Sequence, residues 1–206
     1  MRRSIIGIID YGAGNCASVR SALSKLGYRT RLVNSQADFN GIDAIVLPGV
    51  GAFSTAMTAL HDLQLVTLIR SWAYDGRPIL GICLGMQMLA EASYEHTYTA
   101  GLELIPGKVV QLDNPKWHIG WNSLESHDNE SNNHFLLDYI GSSFYFNHSF
   151  EFQAPSEYIV SITRMERPIV AIVRRDNICG IQFHPEKSQI SGMKILKNTI
   201  KELLHA

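Results

Sequence analysis

The sequence predicts an α/β fold: a doubly wound, mostly parallel sheet with helices on both faces and an antiparallel flank. Three observations carry this. In the first half, short runs rich in Ile, Val and Leu alternate with stretches of helical spacing, the order that builds a parallel sheet. In the second half, strand-like runs follow one another with few helices between. The early strands also end in glycine-bearing turns, at the edge where parallel sheets gather ligands. With 206 residues and 46% hydrophobic content, the chain can bury one sizeable core, and residues 1–206 read as a single domain.

The elements follow in order. Ser4 to Ile9 is an apolar strand closed by the turn-rich DYGAGN. Ser18 to Leu26 has helical spacing, and Gly27 is placed to cap it. Thr30 to Val33 and Ala44 to Leu47 are the next strands, the latter stopped by Pro48-Gly49. Ala52 to Leu60 and Gln64 to Tyr74 read as helices, the second closed by Gly76. Pro78 to Ile82 is a strand leading straight into Cys83, and Gly85 to Glu91 begins another helix. Strands are then expected at Gly107 to Leu112, Ser143 to Phe146, Tyr158 to Arg164, Ile169 to Arg174 and Cys179 to Phe183. Ser126 to His134 reads as an exposed polar loop, and Ser191 to Leu204 as a final amphipathic helix.

Bulk properties narrow the function. A formal net charge of −1 gives no basic footprint for nucleic acid. The apolar run near the N-terminus reaches Asp10 too soon for a signal core or a membrane span. Three widely spaced cysteines, Cys16, Cys83 and Cys179, make neither a disulfide framework nor a zinc pattern and fit a reducing, cytoplasmic setting. His61, His96, His127, His134 and His205 show no ligand spacing, so no metal is expected. His118 and His148 read as site-lining or structural histidines.

Gly81-Ile82-Cys83-Leu84-Gly85 has the form of a nucleophile elbow. Glycines flank such a nucleophile because the turn is cramped and the helix packs close behind. The sulfur would sit at a helix N-terminus, where the dipole favours the thiolate, and the Leu84 N–H would face a developing oxyanion. The alternative is a buried cysteine in a glycine turn. His184-Pro185-Glu186 shifts the balance. Pro185 biases His184 towards an extended backbone, in which residues two apart share a side, so Glu186 would reach and orient the imidazole. In Pro48-Gly49-Val50-Gly51 the glycines would let a backbone N–H turn towards the reacting carbonyl. DYGAGN is a poor dinucleotide loop: Ala17 replaces the third glycine and no acidic residue closes the next strand. It reads better as a turn shaping the site edge or a partner surface.

GICLGMQ and FHPEKS resemble the matching segments of class I, triad-type glutamine amidotransferases. DYGAGN, LPGVGAF, HIGWN, YFNHSF and GIQFHPEKSQ narrow the resemblance to the glutaminase subunits of imidazole glycerol phosphate synthases, over nearly the whole chain. The resemblance implies that Cys83 attacks the glutamine side-chain amide and forms a thioester, that His184 moves the protons and that Glu186 orients His184. It implies an oxyanion hole from Leu84 with Val50 or Gly51. Gly49, Gln87 and the backbone around His148, Ser149 and Phe150 would hold the glutamine. It implies no cofactor. It also implies a heterodimer with a (β/α)8-barrel cyclase that receives the ammonia in histidine biosynthesis, with Asn15, Trp121, Tyr145 and Lys187 near the docking face. EASYEHTYTAG, after the elbow helix, departs from the family's usual acidic, glycine-rich form, as does Trp117 where proline is expected. Three alternatives stand beside this reading: a paralogue feeding an amino-sugar or surface-polysaccharide amidotransferase, a catalytically silent partner subunit, and a cysteine protease or small-molecule deglycase of related topology. The intact Cys83, His184 and Glu186 count against the second.

Overall fold

Alternate residues of each central strand face opposite ways, and here both faces are apolar. In the computed structural model, which describes residues 3–127 and 138–205, β1 (Ile5–Ile9) sends Ile5 and Ile9 to one core and Ile6 and Ile8 to the other. β3 (Ala44–Gly49) divides Ile45 and Leu47 from Ala44 and Val46 in the same way. β4 (Ile79–Cys83) divides Ile79 from Leu80 and Ile82. The first core is covered by α2 (Phe53–Asp62) and α3 (Leu65–Tyr74), through Phe53, Leu60, Ile69 and Trp72. The second is covered by α1 (Cys16–Lys25) and the long C-terminal α5 (Gln189–His205), through Val19, Leu23, Ile195 and Ile200. Each such side chain, fully buried, contributes roughly 1.5–3 kcal/mol of transfer free energy.

The main sheet has nine strands. Its parallel part runs β2 (Arg29–Val33), β1, β3, β4 and β13 (Ile178–Ile181). The antiparallel part continues through β12 (Pro168–Arg175), β11 (Ile159–Arg164), β8 (His118–Ser126) and β9 (Ser143–His148). The predicted fold class therefore stands. The Ser126–His134 loop expectation lies, from residue 128 on, outside the described residues, and Ser126 itself ends β8. Gly27 and Gly76 terminate their helices at positive φ, each with the paired backbone hydrogen bonds of a Schellman motif.

Several features depart from expectation, among them β8, where no strand was expected. The flank does not form a single sheet. β10 (Phe150–Gln153), β7 (Lys108–Gln111), β5 (Ala92–Ser93) and β6 (Thr99–Ala100) form a separate four-stranded sheet. The chain changes sheets between β9 and β10 at the single residue Ser149. The elbow helix is also shorter than Gly85 to Glu91: α4 covers Leu84–Met88 alone. The loop that follows takes its last carbonyls. Leu102 N–H donates to Met88 O at 2.8 Å, Leu104 N–H to Leu89 O at 2.9 Å and Glu103 N–H to Ala90 O at 3.0 Å. Those contacts, distant in sequence, end the helix where its apolar pattern would have continued.

No helix among the described residues is long and apolar enough to cross a membrane.

Candidate active site

Strand register brings the motifs together. Gly49 pairs with Cys83, so the turn at Val50-Gly51 begins level with the sulfur-bearing residue. Ile181 pairs with Ile82, which sets Gln182 beside Cys83 and His184 just beyond the strand ends. Cys83 has φ +55° and ψ −111°, the strained geometry of an elbow. The flanking glycines are a packing necessity. A Cβ on Gly85 would lie 1.7 Å from the Leu47 carbonyl oxygen, and one on Gly81 would lie 2.6 Å from the Gly85 oxygen.

His184 is extended, as Pro185 requires, but the contact to Glu186 closes differently from the sequence argument. Pro185–Lys187 form a 3-10 turn, and this turn carries the carboxylate back to the imidazole. His184 Nδ1 donates to Glu186 Oε1 at 2.9 Å, with 2% and 1% of the two side chains exposed. Asn15 Nδ2 donates to the same oxygen at 3.2 Å. Glu186 Oε2 is buried with no donor among the described residues. The His184 backbone is held too: its N–H donates to Tyr145 O at 2.9 Å and its carbonyl accepts from Ser188 Oγ at 2.7 Å.

Burial alone would lower the His184 pKa. Hydrogen bonds with Cys83 and Glu186, and the charges of both, more than offset it and push the pKa up to about 9. The cation near the sulfur is thus an imidazolium. The helix dipole expected from the sequence is a minor contributor, because α4 has five residues. Cys83 Sγ lies 3.9 Å from the Asn147 carbonyl oxygen, and Gln182 Nε2 lies 3.8 Å from Sγ.

A cavity of about 290 Å³ opens over the sulfur. Val50, Gly51, Cys83, Leu84, Gln87 and His184 line one part of it, and Asn147, His148, Ser149 and Phe150 another. Every residue expected in the oxyanion hole is present. So are the expected substrate contacts, except Gly49, which packs beneath the elbow against Leu84 and the Tyr11 hydroxyl. Gln87 Nε2 donates to Phe150 O at 3.0 Å and to Gln182 Oε1 at 3.1 Å, so both its hydrogens bind the protein. DYGAGN shapes the site edge: Tyr11 donates to Pro48 O at 2.9 Å, and Asn15 reaches Glu186.

Two residues at the site went unread in the sequence. Glu95 lines the cavity and accepts from the Phe53 N–H at 2.6 Å. It comes from the atypical EASYEHTYTAG segment, and a lone acid there carried no signal. Gln182, fully buried, was visible as part of GIQFHPEKSQ but was not singled out.

The four residues expected at a docking face divide. Trp121 is 51% exposed and stands on the outward face of β8 with Ile119, which is 64% exposed. Its register partner Tyr145 is half-buried, with the two rings 6.1 Å apart. Lys187 is exposed next to Glu186. Asn15 is committed inwardly to Glu186. Among the described residues no cluster of side chains has the make-up of a metal site.

Comparison with known proteins agrees with this geometry. The family model for glutamine amidotransferase class-I matches residues 7–203. An imidazole glycerol phosphate synthase subunit HisH from Desulfitobacterium hafniense is 43% identical over 94% of this chain and 92% of that protein. One of the same description from Lactococcus lactis subsp. lactis is 42% identical over 96% of this chain and 98% of its own length. Among solved structures, a glutamine amidotransferase superposes with a TM-score of 0.75 at 17% identity, covering 98% of this chain and 99% of that one. PurLQS from Thermotoga maritima gives 0.76 at 19% identity, covering 98% and 100%. At those identities the structural likeness speaks for the fold alone, while the family match and the relatives above 40% identity speak for descent: the chain belongs to the class-I glutamine amidotransferases and, within them, to the family of imidazole glycerol phosphate synthase subunit HisH.

Proposed function

We propose that this chain hydrolyses L-glutamine to glutamate and ammonia through a Cys83 thioester, and passes the ammonia to a cyclase subunit that makes imidazole glycerol phosphate in histidine biosynthesis. The observation that carries the reading is that Cys83 and His184 line one cavity, with Glu186 bonded to His184 behind it and His184 held protonated.

The chemistry follows from the atoms in place. The Cys83 sulfur, its proton already on His184, attacks the carbonyl carbon of the substrate side-chain amide. The oxygen that becomes negative faces the Leu84 N–H and the Val50-Gly51 turn, whose Gly51 has φ +101°. The C–N bond then breaks, and the departing nitrogen takes the His184 proton and leaves as ammonia. Neutral His184 removes a proton from water, which attacks the thioester. The C–S bond breaks, glutamate leaves and the charged imidazole is restored. Glu186 fixes the imidazole and stabilises its charge throughout, while Asn15 orients Glu186. Gln182 offers an N–H to the sulfur.

Substrate recognition uses the rest of the wall. Because Gln87 gives both hydrogens to the protein, its oxygen is left as an acceptor beside the cavity. Glu95 supplies a carboxylate there. Together they complement the α-ammonium of an amino acid. Ser149 and the backbone of His148 and Phe150 complete the wall.

The outward face of Ile119, Trp121 and Tyr145, with Lys187 beside it, lies next to His184 and is the docking surface we assign to a (β/α)8-barrel cyclase. No cofactor or metal enters the scheme. Three unpaired cysteines suit a cytoplasmic protein, and the charge balance speaks against nucleic acid.

The test is glutamate release from glutamine by the purified chain, alone and with the cyclase, with and without the cyclase ligand. Strong stimulation by partner and ligand is expected. No stimulation by a folded cyclase would point to a different ammonia acceptor.

A further inference from the structure

Two buried histidines outside the triad form a hydrogen-bond relay that ends on the cavity wall. His118 begins β8 and His148 ends β9, opposite one another in register. His118 Nδ1 lies 3.1 Å from His148 Nε2. His148 Nδ1 lies 2.7 Å from the Phe150 carbonyl oxygen. On the other side, Asn122 Nδ2 lies 3.3 Å from His118 Nε2.

One arrangement of hydrogens satisfies all three contacts. A carbonyl oxygen accepts, so His148 Nδ1 carries the hydrogen. Burial holds both rings neutral, with pKa pushed down to about 4 for His118 and, with the help of nearby His118 and His184, to about 3 for His148. A neutral imidazole has a single N–H. His148 Nε2 therefore accepts, and His118 Nδ1 donates to it. His118 Nε2 accepts in turn from Asn122, whose other hydrogen goes to the Arg164 carbonyl at 3.0 Å. The relay has one direction: Asn122 to His118 to His148 to Phe150.

Its end point is where the chain leaves one sheet for the other. The His148–Phe150 bond spans Ser149, the residue that separates β9 from β10. The Phe150 carbonyl also accepts from Gln87 at 3.0 Å, so the corner and α4 are tied at one oxygen. We propose that His118 is a positioning residue for the glutamine cavity: oriented by Asn122 and donating to His148, it holds the β9–β10 corner, and Gln87 with it, in the shape that accepts substrate. This rests on the glutaminase reading. The plainer account is that His118 fills space against Phe146, on which it stacks with centroids 4.3 Å apart. Packing needs a flat ring and has no use for a direction.

Two measurements separate the accounts. Nitrogen NMR of the full chain at neutral pH should find both His118 and His148 protonated on Nδ1, the tautomer less favoured by free neutral histidine. Protonation of either ring on Nε2 would overturn the relay. In steady-state glutamate release, His118→Phe keeps a flat ring but deletes both nitrogens, and should raise the glutamine KM about tenfold with kcat within about threefold. His118→Gln, which keeps one donor and one acceptor, should return KM to within about threefold of the wild type. Should His118→Phe not fold, Asn122→Ala should raise KM about threefold by freeing the His118 ring. An unchanged KM, or a loss confined to kcat, sinks the positioning role. If the wild-type chain releases no glutamate with any partner, the glutaminase reading fails, while the tautomer result still decides the relay.

Discussion

Two histidine sites border the same cavity at similar burial, yet one is charged and the other neutral. His184 is 2% exposed and its pKa is pushed up to about 9. His148 is 8% exposed and His118 is 3% exposed, and theirs fall to about 3 and about 4. Depth does not separate them, since burial acts against the charged form in all three. Partners do. His184 has a carboxylate at 2.9 Å and the Cys83 sulfur on its other side. His148 has a carbonyl oxygen and another neutral imidazole. The charged site has a proton to give to departing ammonia. The neutral pair, with no proton to spare, offers hydrogen bonds of fixed direction. Their division of labour comes from those partners: the Cys83 sulfur and the Glu186 carboxylate on one side, neutral groups on the other.

The largest expected effect tests the charged side. Cys83→Ser replaces the sulfur with a poorer nucleophile and removes one partner of His184. Glutamate release should fall by about a thousandfold or more, with circular dichroism unchanged. Retained turnover would remove Cys83, and the charge pairing with it, from the mechanism. Glu186→Gln is expected to cost less, about a hundredfold. The amide oxygen can still accept from Nδ1, but its charge is gone, so His184 loses one of the two partners that hold its proton. The alkaline limb of the pH–rate profile should move to lower pH. A profile identical to the wild type would show that Glu186 is not what separates the two histidine sites.

How much of this was legible depended on how far each contact reaches. The elbow could be read because part of its constraint is local: the steric conflict at Gly81 arises within Gly81–Met86, although the one at Gly85 is with Leu47. The HPE pairing was readable for the same reason, although the 3-10 turn that closes it was not. The contacts that complete the site cross long stretches of chain. Asn15 meets Glu186 across 171 residues, and Gln182 meets Cys83 across 99. No spacing rule reports such meetings. The shortened α4 is similar, since residues 102–104 bond the carbonyls of Met88, Leu89 and Ala90, at and just past its end. No strand was expected at β10, and its separation from β9 at Ser149 depends on pairing with β7, some forty residues earlier in the chain. His118 and His148 were visible as candidates, but their roles depend on facing one another across the β8–β9 ladder.

The smallest effect tests the comparison through stability. A histidine whose folded pKa lies above its ordinary 6.5 stabilises the fold fully below pH 6.5, and that contribution is lost as pH rises through the folded value, about 9 for His184. For His118 and His148 the sign reverses. Their depressed values make a contribution that is present above pH 6.5 and is lost as pH falls towards about 4 and about 3. Urea midpoints should therefore peak near neutral pH and decline on both sides. Other carboxylates, including Glu151 in its pair with Arg167, add to the acid side, so the informative quantity is the difference between variant and wild type. Glu186→Gln should flatten the alkaline decline. His118→Phe should do the reverse, reducing the acid decline because one fewer buried ring must take up a proton. If Glu186→Gln left the alkaline behaviour of the wild type unchanged, Glu186 would not be what holds the charge on His184, and the proton assigned to the departing ammonia would need another source.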